Sequence, residues 1–162
     1  METAAGEAGT QANAELAALY AAHRPGLVRT AWIMTGSKDE AEDIVHDAFV
    51  RFASAARPKL ENPTAYLRQV VVNQVRDRHR RRAVQLRHMA APDGPVLDEE
   101  DQFIWELFQA LPLRQRQALV LRYYEDLTLA EVSELLGCPL GTAKSLVHRG
   151  LENLRKEMGD DG

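Results

Sequence analysis

The sequence predicts an all-α protein of two small helical domains joined by an acidic flexible linker, the second domain containing a helix-turn-helix. Apolar residues recur at helical spacing along most of the chain, and no alternating strand pattern of convincing length appears. Residues 89–100 (MAAPDGPVLDEE) combine prolines, a glycine and acids, which is typical of an interdomain linker. Near the end, a three-residue turn after a glycine separates two helical patterns, as in a helix-turn-helix.

The first helical patterns lie before residue 36. Residues 1–12 are rich in Ala, Gly, Glu and Thr, and we expect them to be disordered. Two helices are predicted next, over residues 13–23 and 25–35, and Gly36 is placed to end the second of them. The first domain therefore begins near residue 13.

Two further helices complete the first domain, which we place at residues 13–86. Ser37 and Glu40 form an S-x-x-E capping box, and apolar residues repeat after it at heptad-like spacing, so a third helix with a core-facing stripe begins here. A fourth helix begins where Pro63 follows Asn62, because proline fits the first turn of a helix. It has one apolar face and runs into the basic segment RDRHRRR.

The second domain ends in the two helices of the predicted helix-turn-helix. Thr128 and Glu131 form a second capping box, and Gly137 is placed to end that helix. The turn CPL then leads into the last helix. The predicted boundaries are 87–101 for the linker, 102–158 for the second domain and 159–162 for the tail.

Composition excludes several classes of protein. With 162 residues, 45% of them hydrophobic, and a formal net charge of -4, the chain has the composition of a soluble globular protein. We expect no membrane span and no secretory signal, and the single Cys138 excludes an internal disulfide and fits the cytoplasm. No phosphate loop, paired-Cys metal spacing or nucleophile motif is present, and the five histidines are scattered. We therefore expect no catalytic residue, no metal site and no cofactor.

The net charge conceals two cationic segments. Residues 68–87 hold seven arginines and one acid, whereas residues 89–108 hold six acids and no Lys or Arg. Residues 140–156 carry a net charge of +3. Because cationic surface is concentrated in two places, the acidic pI does not exclude DNA as a partner.

The last helix, which contains the segment GTAKSLVHRG, is the candidate for DNA contact. In a helix-turn-helix the second helix enters the major groove, and hydroxyl and cationic side chains near its start suit phosphate and base contacts. An ordinary helical hairpin with a solvated face is the alternative that spacing leaves open. The candidate DNA-contacting residues are Thr142, Lys144, Ser145, Leu146, His148 and Arg149.

Both halves of the sequence resemble the same protein family. The segment LPLRQRQALVLRYYEDLTLAEVSELLGCPLGTAKSLVHRGLENLRKEM closely resembles region four of bacterial extracytoplasmic-function sigma factors. In the first half, AEDIVHDAFVRFA followed by NPTAYLRQVVVNQVRDRHRRR resembles region two of the same family. The resemblance covers roughly residues 14–158 in the family's order. It implies an alternative sigma factor that binds core RNA polymerase and directs promoter-specific transcription initiation at minus-ten and minus-thirty-five elements.

The resemblance assigns polymerase contacts to the third predicted helix. Region two of the family binds a helical coiled coil of the largest polymerase subunit, and the matching positions are Asp43, His46 and Asp47. Family members usually carry Gln where His46 stands. Without the resemblance, the acids of this helix are more typical of a solvated face, with first-turn acids favoured by the helix dipole.

The resemblance also places the fourth predicted helix, with the loop before it, at the minus-ten element. Arginines release counterions from phosphates, and an unstacked base can be held by loop backbone, Asn and Arg groups. A solvated helix terminus with cations that complement the dipole is the alternative. The candidates for minus-ten contacts are Asn73, Arg76 and Arg80, and those for phosphate contacts are Arg78, Arg81 and Arg82.

Region four of the family binds the flap of the second-largest polymerase subunit. The candidates for a flap-binding groove, which could equally form the core, are Leu119, Val120, Tyr123, Leu135 and Leu136. The acidic linker resembles the family's connector through the RNA exit path, and a solubilising tether is the simpler alternative. Family members are commonly sequestered by anti-sigma proteins, but the sequence does not show whether this chain has one, nor which promoter or signal it serves.

Two questions stay open at the level of sequence. A helix-turn-helix regulator that acts without joining RNA polymerase would explain the last 60 residues but leave the first half without a role. Leu146 stands where the family usually has Arg, and its spacing places it outside the core. Either Leu146 packs against a thymine methyl group or this helix binds DNA more weakly.

Overall fold

The computed structural model describes residues 2–55, 62–85 and 99–159, and these parts are helical almost throughout, with no strand among them. The elements are α1 (Glu2–Thr35), α2 (Lys38–Ser54), α3 (Pro63–Gln85), α4 (Glu99–Gln109), α5 (Leu113–Leu119), a π-helical turn (Val120–Tyr124), α6 (Leu129–Leu136) and α7 (Leu140–Gly159). Helices α1–α3 pack into a first bundle and α4–α7 into a second, and the two bundles also contact each other. The predicted all-α fold is confirmed, with the helix-turn-helix in the second half.

A single helix occupies the region in which the sequence predicted a disordered start and two helices. Helix α1 continues without interruption through Pro25. A proline inside a helix removes one hydrogen bond and crowds the preceding turn, at about 3 kcal/mol. However, Leu27 and Ala31 follow at helical spacing and are buried in the core, so tertiary packing outweighs the local break. The structure thereby corrects two predictions, the disorder over residues 2–12 and the helix boundary before residue 25.

Local signals mark the end of α1 and the starts of α2 and α3 at the predicted residues. Gly36 adopts a left-handed φ of 76°, which ends α1. Ser37 Oγ accepts a hydrogen bond from the Glu40 amide at 3.3 Å, and Asn62 Oδ1 accepts one from the Ala65 amide at 3.1 Å. At Ser37 the structure shows the side-chain half of the predicted capping box, whereas the Ser37 amide donates to Thr35 Oγ1 at 3.2 Å. The buried apolar residues of α2 and α3 are Ala41, Ile44, Val45, Ala48, Phe49, Phe52, Leu67, Val70, Val71, Val72 and Val75.

The second bundle begins earlier than predicted. Helix α4 starts at Glu99, so residues 99–101 belong to a helix and not to the linker. Residues 86–98, which include the rest of the predicted linker, lie outside the described residues, as do residues 160–162 of the predicted tail.

The helix-turn-helix has the caps that its sequence predicts. Thr128 and Glu131 form a reciprocal capping box at the start of α6, and Gly137 ends that helix with a left-handed φ of 64°. The Thr128 amide and hydroxyl donate to the Glu131 carboxylate and hold its pKa below the ordinary value. The stabilisation from this cap is therefore present above the ordinary pKa of Glu and is lost as the pH falls through the lowered value.

Helices α5 and α7 approach closely at Gly150. A Cβ atom at this position would lie 2.8 Å from Leu119 Cδ1, and Leu119 is itself buried. We expect Gly150→Val to destabilise the protein by about 2 kcal/mol in urea unfolding, because the added atoms overpack this contact. Gly141→Val is the matched control, since Gly141 lies in the same helix with no atom within 4 Å of its Cβ position. Equal destabilisation by both substitutions would contradict the packing argument.

Candidate nucleic-acid and polymerase interfaces

Helix α7 presents a polar face to solvent because its other side is anchored in the second bundle. Ala143, Val147 and Gly150 are buried, which fixes the rotation of the helix about its axis. Hydroxyls and cations are therefore displayed together near the start of the helix, and they can contact phosphates and base edges. The exposed residues, which we name the α7 face, are Thr142, Lys144, Ser145, His148 and Arg149.

Within the α7 face, His148 already has a neighbouring carboxylate. His148 Nε2 lies 3.1 Å from Glu152 Oε1, one helical turn later, and both side chains are well exposed. The two form an ion pair when the imidazole is protonated. Glu152 therefore competes with a DNA phosphate for His148, so Lys144 and Arg149 are the stronger candidates for phosphate contact.

Leu146 does not lie where the sequence analysis predicted. It is half-buried and packs against the hydrophobic core. Leu146 follows Ala143 by three residues and precedes Val147 by one, so its side chain lies at the edge of the buried stripe. The prediction that spacing keeps Leu146 out of the core is therefore wrong, and part of its side chain at most is open to a thymine methyl group.

The minus-ten candidates on α3 have different surroundings. Asn73 is half-buried, and its Oδ1 accepts a hydrogen bond from Gln69 Nε2 at 3.0 Å. Arg76 is half-buried too, and its Nε is buried without a hydrogen-bond partner among the described residues. Arg80 is exposed and forms an ion pair with Asp77 at 2.9 Å. Of the three candidates, only Arg80 is fully open to DNA in this arrangement.

The predicted phosphate contacts lie at the end of α3. Arg78 Nη2 lies 3.6 Å from Asp47 Oδ2 of α2, so a predicted phosphate contact is paired with a predicted polymerase contact. Arg81 is exposed. Arg82 belongs to α3, but its side chain lies outside the part that the structure describes.

One of the three predicted polymerase contacts, His46, lines a groove that sequence analysis missed. Asp43 and His46 are exposed on α2, and Asp47 is partly exposed beside them. The groove, which we name the α1–α2 groove, has a volume of about 500 Å³. Its two walls come from helices that are distant in sequence, with the rings of Tyr20 of α1 and Phe49 of α2 4.9 Å apart, so no local pattern indicates the groove. Its lining residues are Asn13, Leu16, Ala17, Tyr20, His46, Phe49, Val50 and Ala53.

Most of the predicted flap-binding residues belong to the core. Leu119, Val120 and Leu136 are each 1% exposed, because short helices must bury their few apolar residues to be stable. Leu135 is half-buried, and Tyr123 is exposed. This set could form either a flap-binding groove or the core. Leu119, Val120 and Leu136 belong to the core, and Tyr123 remains the candidate for a surface contact.

The described residues contain no cluster of three or more His, Cys, Asp or Glu side chains that could hold a metal ion. No helix among them combines the length and apolar character needed to cross a bilayer. Cys138, in the turn of the helix-turn-helix, is a half-buried free thiol.

Comparison with known proteins matches both halves of the chain. The Sigma-70 region 2 family matches residues 19–84, and the Sigma-70, region 4 family matches residues 107–156. The chain is 30% identical over 142 residues to the RNA polymerase sigma-E factor of Streptomyces avermitilis, a match covering 82% of this chain and 78% of that protein. It is 28% identical over 161 residues to the ECF RNA polymerase sigma factor SigW of Bacillus subtilis, covering 85% and 86% respectively.

Solved structures have the same fold. The sigma factor RpoE of Bartonella quintana, crystallised in complex with the anti-sigma factor NepR, superposes with a TM-score of 0.72 at 21% identity, covering 91% of this chain and 99% of that one. The extracytoplasmic function sigma factor SigJ of Mycobacterium tuberculosis gives a TM-score of 0.67 at 25% identity, covering 86% and 53%.

The fold, the helix-turn-helix and the two family matches together define a transcription initiation factor of the sigma-70 class that contains regions 2 and 4. Within that class, the chain belongs to the extracytoplasmic-function (ECF) sigma factors. The resemblance found in the sequence is thus confirmed, and with it the promoter-recognising function of a sigma factor.

Proposed function

We propose that the α7 face reads the minus-thirty-five element and that α3, with the loop before it, contacts the minus-ten element. The observation that carries the first assignment is the orientation of α7. Ala143 and Val147 anchor one side of the helix, so the cations and hydroxyls of the other side face outward together. A helix held in this way can enter the major groove without disturbing the bundle behind it.

The minus-ten assignment is supported by the cations of α3. Arg80 and Arg81 are exposed near the end of the helix, and Asn73 lies two turns before Arg80 on the same side. Between residues 53 and 82 the single aromatic residue is Tyr66, which packs on the core. With no cluster of aromatic side chains to open the duplex, we expect promoter melting to depend on capture of one flipped base.

Helix α2 is the proposed docking site for core polymerase. His46 lines the α1–α2 groove, and the exposed Asp43 lies one helical turn before it on α2, so polar groups flank a mostly apolar recess. That combination of apolar centre and polar rim is typical of a protein interface. The proposed partners are the coiled coil of the largest polymerase subunit at α2 and the flap of the second-largest subunit near Tyr123.

We assign no chemical step to the chain itself. It positions RNA polymerase, which forms the phosphodiester bonds, and it therefore acts in the cytoplasm. An anti-sigma protein is a further predicted partner.

Run-off transcription tests the proposed function directly. We expect the purified chain, added to core RNA polymerase with genomic fragments, to start transcription from discrete sites, which also identifies its promoters. If the chain binds promoter DNA but forms no complex with core polymerase, it is a helix-turn-helix regulator and the proposal is wrong.

The affinity of the chain for a minus-thirty-five duplex is expected to fall by roughly 10- to 40-fold between 50 and 200 mM salt. This range follows from two to three phosphate contacts made by the cations of the α7 face, since each neutralised phosphate releases condensed counterions. Fluorescence anisotropy with a labelled duplex from an identified promoter measures the dependence. An affinity that is independent of salt would exclude phosphate contacts by Lys144 and Arg149.

A further inference from the structure

His148 and Glu152 form a pair on the solvent side of α7, where DNA bound to the α7 face would meet them. His148 Nε2 lies 3.1 Å from Glu152 Oε1, and the two side chains are 74% and 52% exposed. Residues four apart are neighbours on one side of a helix, so the pair is set by the helix itself. An ionised carboxylate only accepts hydrogen bonds, so this contact requires a proton on Nε2 of the imidazole.

The other charged groups near α7 do not pair with His148. His148 lies about 140° around the helix from the buried Ala143, and therefore away from the helices α4, α5 and α6 that pack against α7. Among the residues that the structure describes, Glu152 is the one acid within ion-pair distance of the imidazole. The neighbouring charges on α7 itself are Lys144, Arg149 and Arg155, and those with described side chains on α4, α5 and α6 are Glu99, Glu106, Arg114, Arg116, Glu131 and Glu134.

The protonation state of the imidazole decides whether His148 can donate to DNA as well as to Glu152. A neutral imidazole has one proton, which the contact with Glu152 holds at Nε2, so Nδ1 presents a lone pair that phosphate oxygens repel. A protonated imidazole has an N–H group at both nitrogens. It can donate to Glu152 through Nε2 and to an acceptor atom of the DNA through Nδ1, and both hydrogen bonds are strengthened by charge.

We propose that Glu152 is a positioning residue that makes recognition of the minus-thirty-five element depend on protonation of His148. The inference rests on the proposed function, because it takes the α7 face as the reader of that element. DNA that binds the protonated ring more tightly draws a proton onto it, and by the same linkage the affinity for DNA falls as the pH rises. An unperturbed imidazole titrates at about pH 6.5, so the dependence falls within the range of pH that proteins meet in cells.

The carboxylate of Glu152 enforces this dependence, because an amide of the same shape would remove it. In Glu152→Gln, the side-chain amide can donate to an unprotonated Nε2. The single proton of a neutral imidazole is then free to lie on Nδ1 and to point at the DNA. His148 would therefore donate to DNA in either protonation state, and the affinity would lose most of its dependence on pH.

The affinity of the full-length chain for a minus-thirty-five duplex, measured from about pH 6 to about pH 8, tests the proposal. Fluorescence anisotropy at constant salt, with a labelled duplex from a promoter found by run-off transcription, gives the profile. We expect the wild-type chain to bind about tenfold more tightly at the acidic end, through one added charge-assisted hydrogen bond. His148→Asn is expected to vary by less than about twofold over the same range. The histidines elsewhere in the chain are present in both proteins, so the difference between the two profiles belongs to His148.

Two variants of acidic residues separate positioning from simple charge. Glu152→Gln is expected to bind about fivefold more tightly than wild type at the alkaline end and within about twofold of it at the acidic end, which flattens the profile. Glu157→Gln removes another exposed carboxylate of α7 and is the matched control. It is expected to give a profile parallel to that of wild type. Circular dichroism of each variant checks that the helices are retained.

The outcomes distinguish this proposal from the proposed function. A wild-type affinity that does not change with pH, or a His148→Asn profile as steep as that of wild type, overturns the role of His148 even if the chain starts transcription with core polymerase. A Glu152→Gln profile parallel to that of wild type means that Glu152 acts only by repelling phosphates, and its positioning role is then wrong. A chain that binds the duplex at no pH overturns the assignment of the α7 face, and the proposal with it.

Discussion

Replacing both Lys144 and Arg149 with Glu is expected to weaken binding to a minus-thirty-five duplex by about 100-fold or more. Each substitution removes a cation that can contact a phosphate or a base edge and adds a charge that the phosphates repel. Both side chains are exposed on the α7 face, away from the buried side of the helix, so the fold should be retained. Fluorescence anisotropy at constant salt, on duplexes from promoters found by run-off transcription, measures the loss.

The matched control makes the same charge change further along α7. Arg155→Glu with Lys156→Glu reverses two exposed cations at the end of the helix, beyond the α7 face. We expect this variant to bind the duplex within about threefold of wild type, since contacts at the helix start carry the recognition. Arg155 and Lys156 lie about 9 to 18 Å further along the helix axis, where salt screening weakens their effect on the phosphates. If both double variants lose the same affinity, net charge explains the binding and the α7 face is not the reader.

The helices that carry the α7 face could be predicted because their ends are set by local chemistry. Thr128 and Glu131 satisfy each other's backbone and side-chain groups within four residues, and Gly137 supplies the left-handed conformation that the turn needs. Such signals depend on residues that are close in sequence, so they can be recognised without a structure. The rotation of α7 about its axis could also be predicted, because the spacing of Ala143 and Val147 places both on one apolar face.

Helical spacing alone was not sufficient to predict the partial burial of Leu146. A helix has a graded boundary between its buried and exposed sides, and how far the buried stripe extends depends on what packs against it. Leu146 lies on that boundary, and the neighbouring helices cover part of it. The predicted helix boundary before Pro25 was wrong for a related reason. Whether the helix continues through the proline depends on the burial of the residues after it, which local sequence does not show.

The contacts between the bundles could not be predicted because they join residues far apart in sequence through charged groups. Arg116 lies in the basic segment LRQRQ and has the composition of a surface residue, yet it is 9% exposed. Its burial is tolerated because carbonyls of α1 and of the α4–α5 turn accept its hydrogen bonds. Glu125 lies 57 residues from Arg68 in the chain, and no local pattern relates them.

Replacing Asp43 with Arg is expected to weaken binding to core RNA polymerase by about 100-fold while leaving binding to the minus-thirty-five duplex within about threefold of wild type. Asp43 is exposed on α2 one helical turn before His46, which lines the α1–α2 groove, and a reversed charge at a complementary interface costs several kcal/mol. Asp43 is a sharper test than Asp47, because replacing Asp47 would also break its pair with Arg78. Competition with a labelled wild-type chain for core polymerase measures the loss.

Two companion variants decide whether α2 docks through this face. Asp39→Arg reverses an exposed carboxylate in the first turn of α2. It is expected to lower the stability of the protein by about 0.3–1 kcal/mol through the helix dipole, and to keep the affinity for polymerase within about threefold of wild type.

Val50→Asp places a charge in the α1–α2 groove, where Val50 is 50% exposed, and is expected to weaken polymerase binding by about tenfold because that carboxylate must be desolvated on docking. If Asp43→Arg binds core polymerase as tightly as wild type, α2 does not dock through this face. If Asp39→Arg weakens binding as much as Asp43→Arg does, the general negative charge of α2 accounts for docking and Asp43 makes no specific contact.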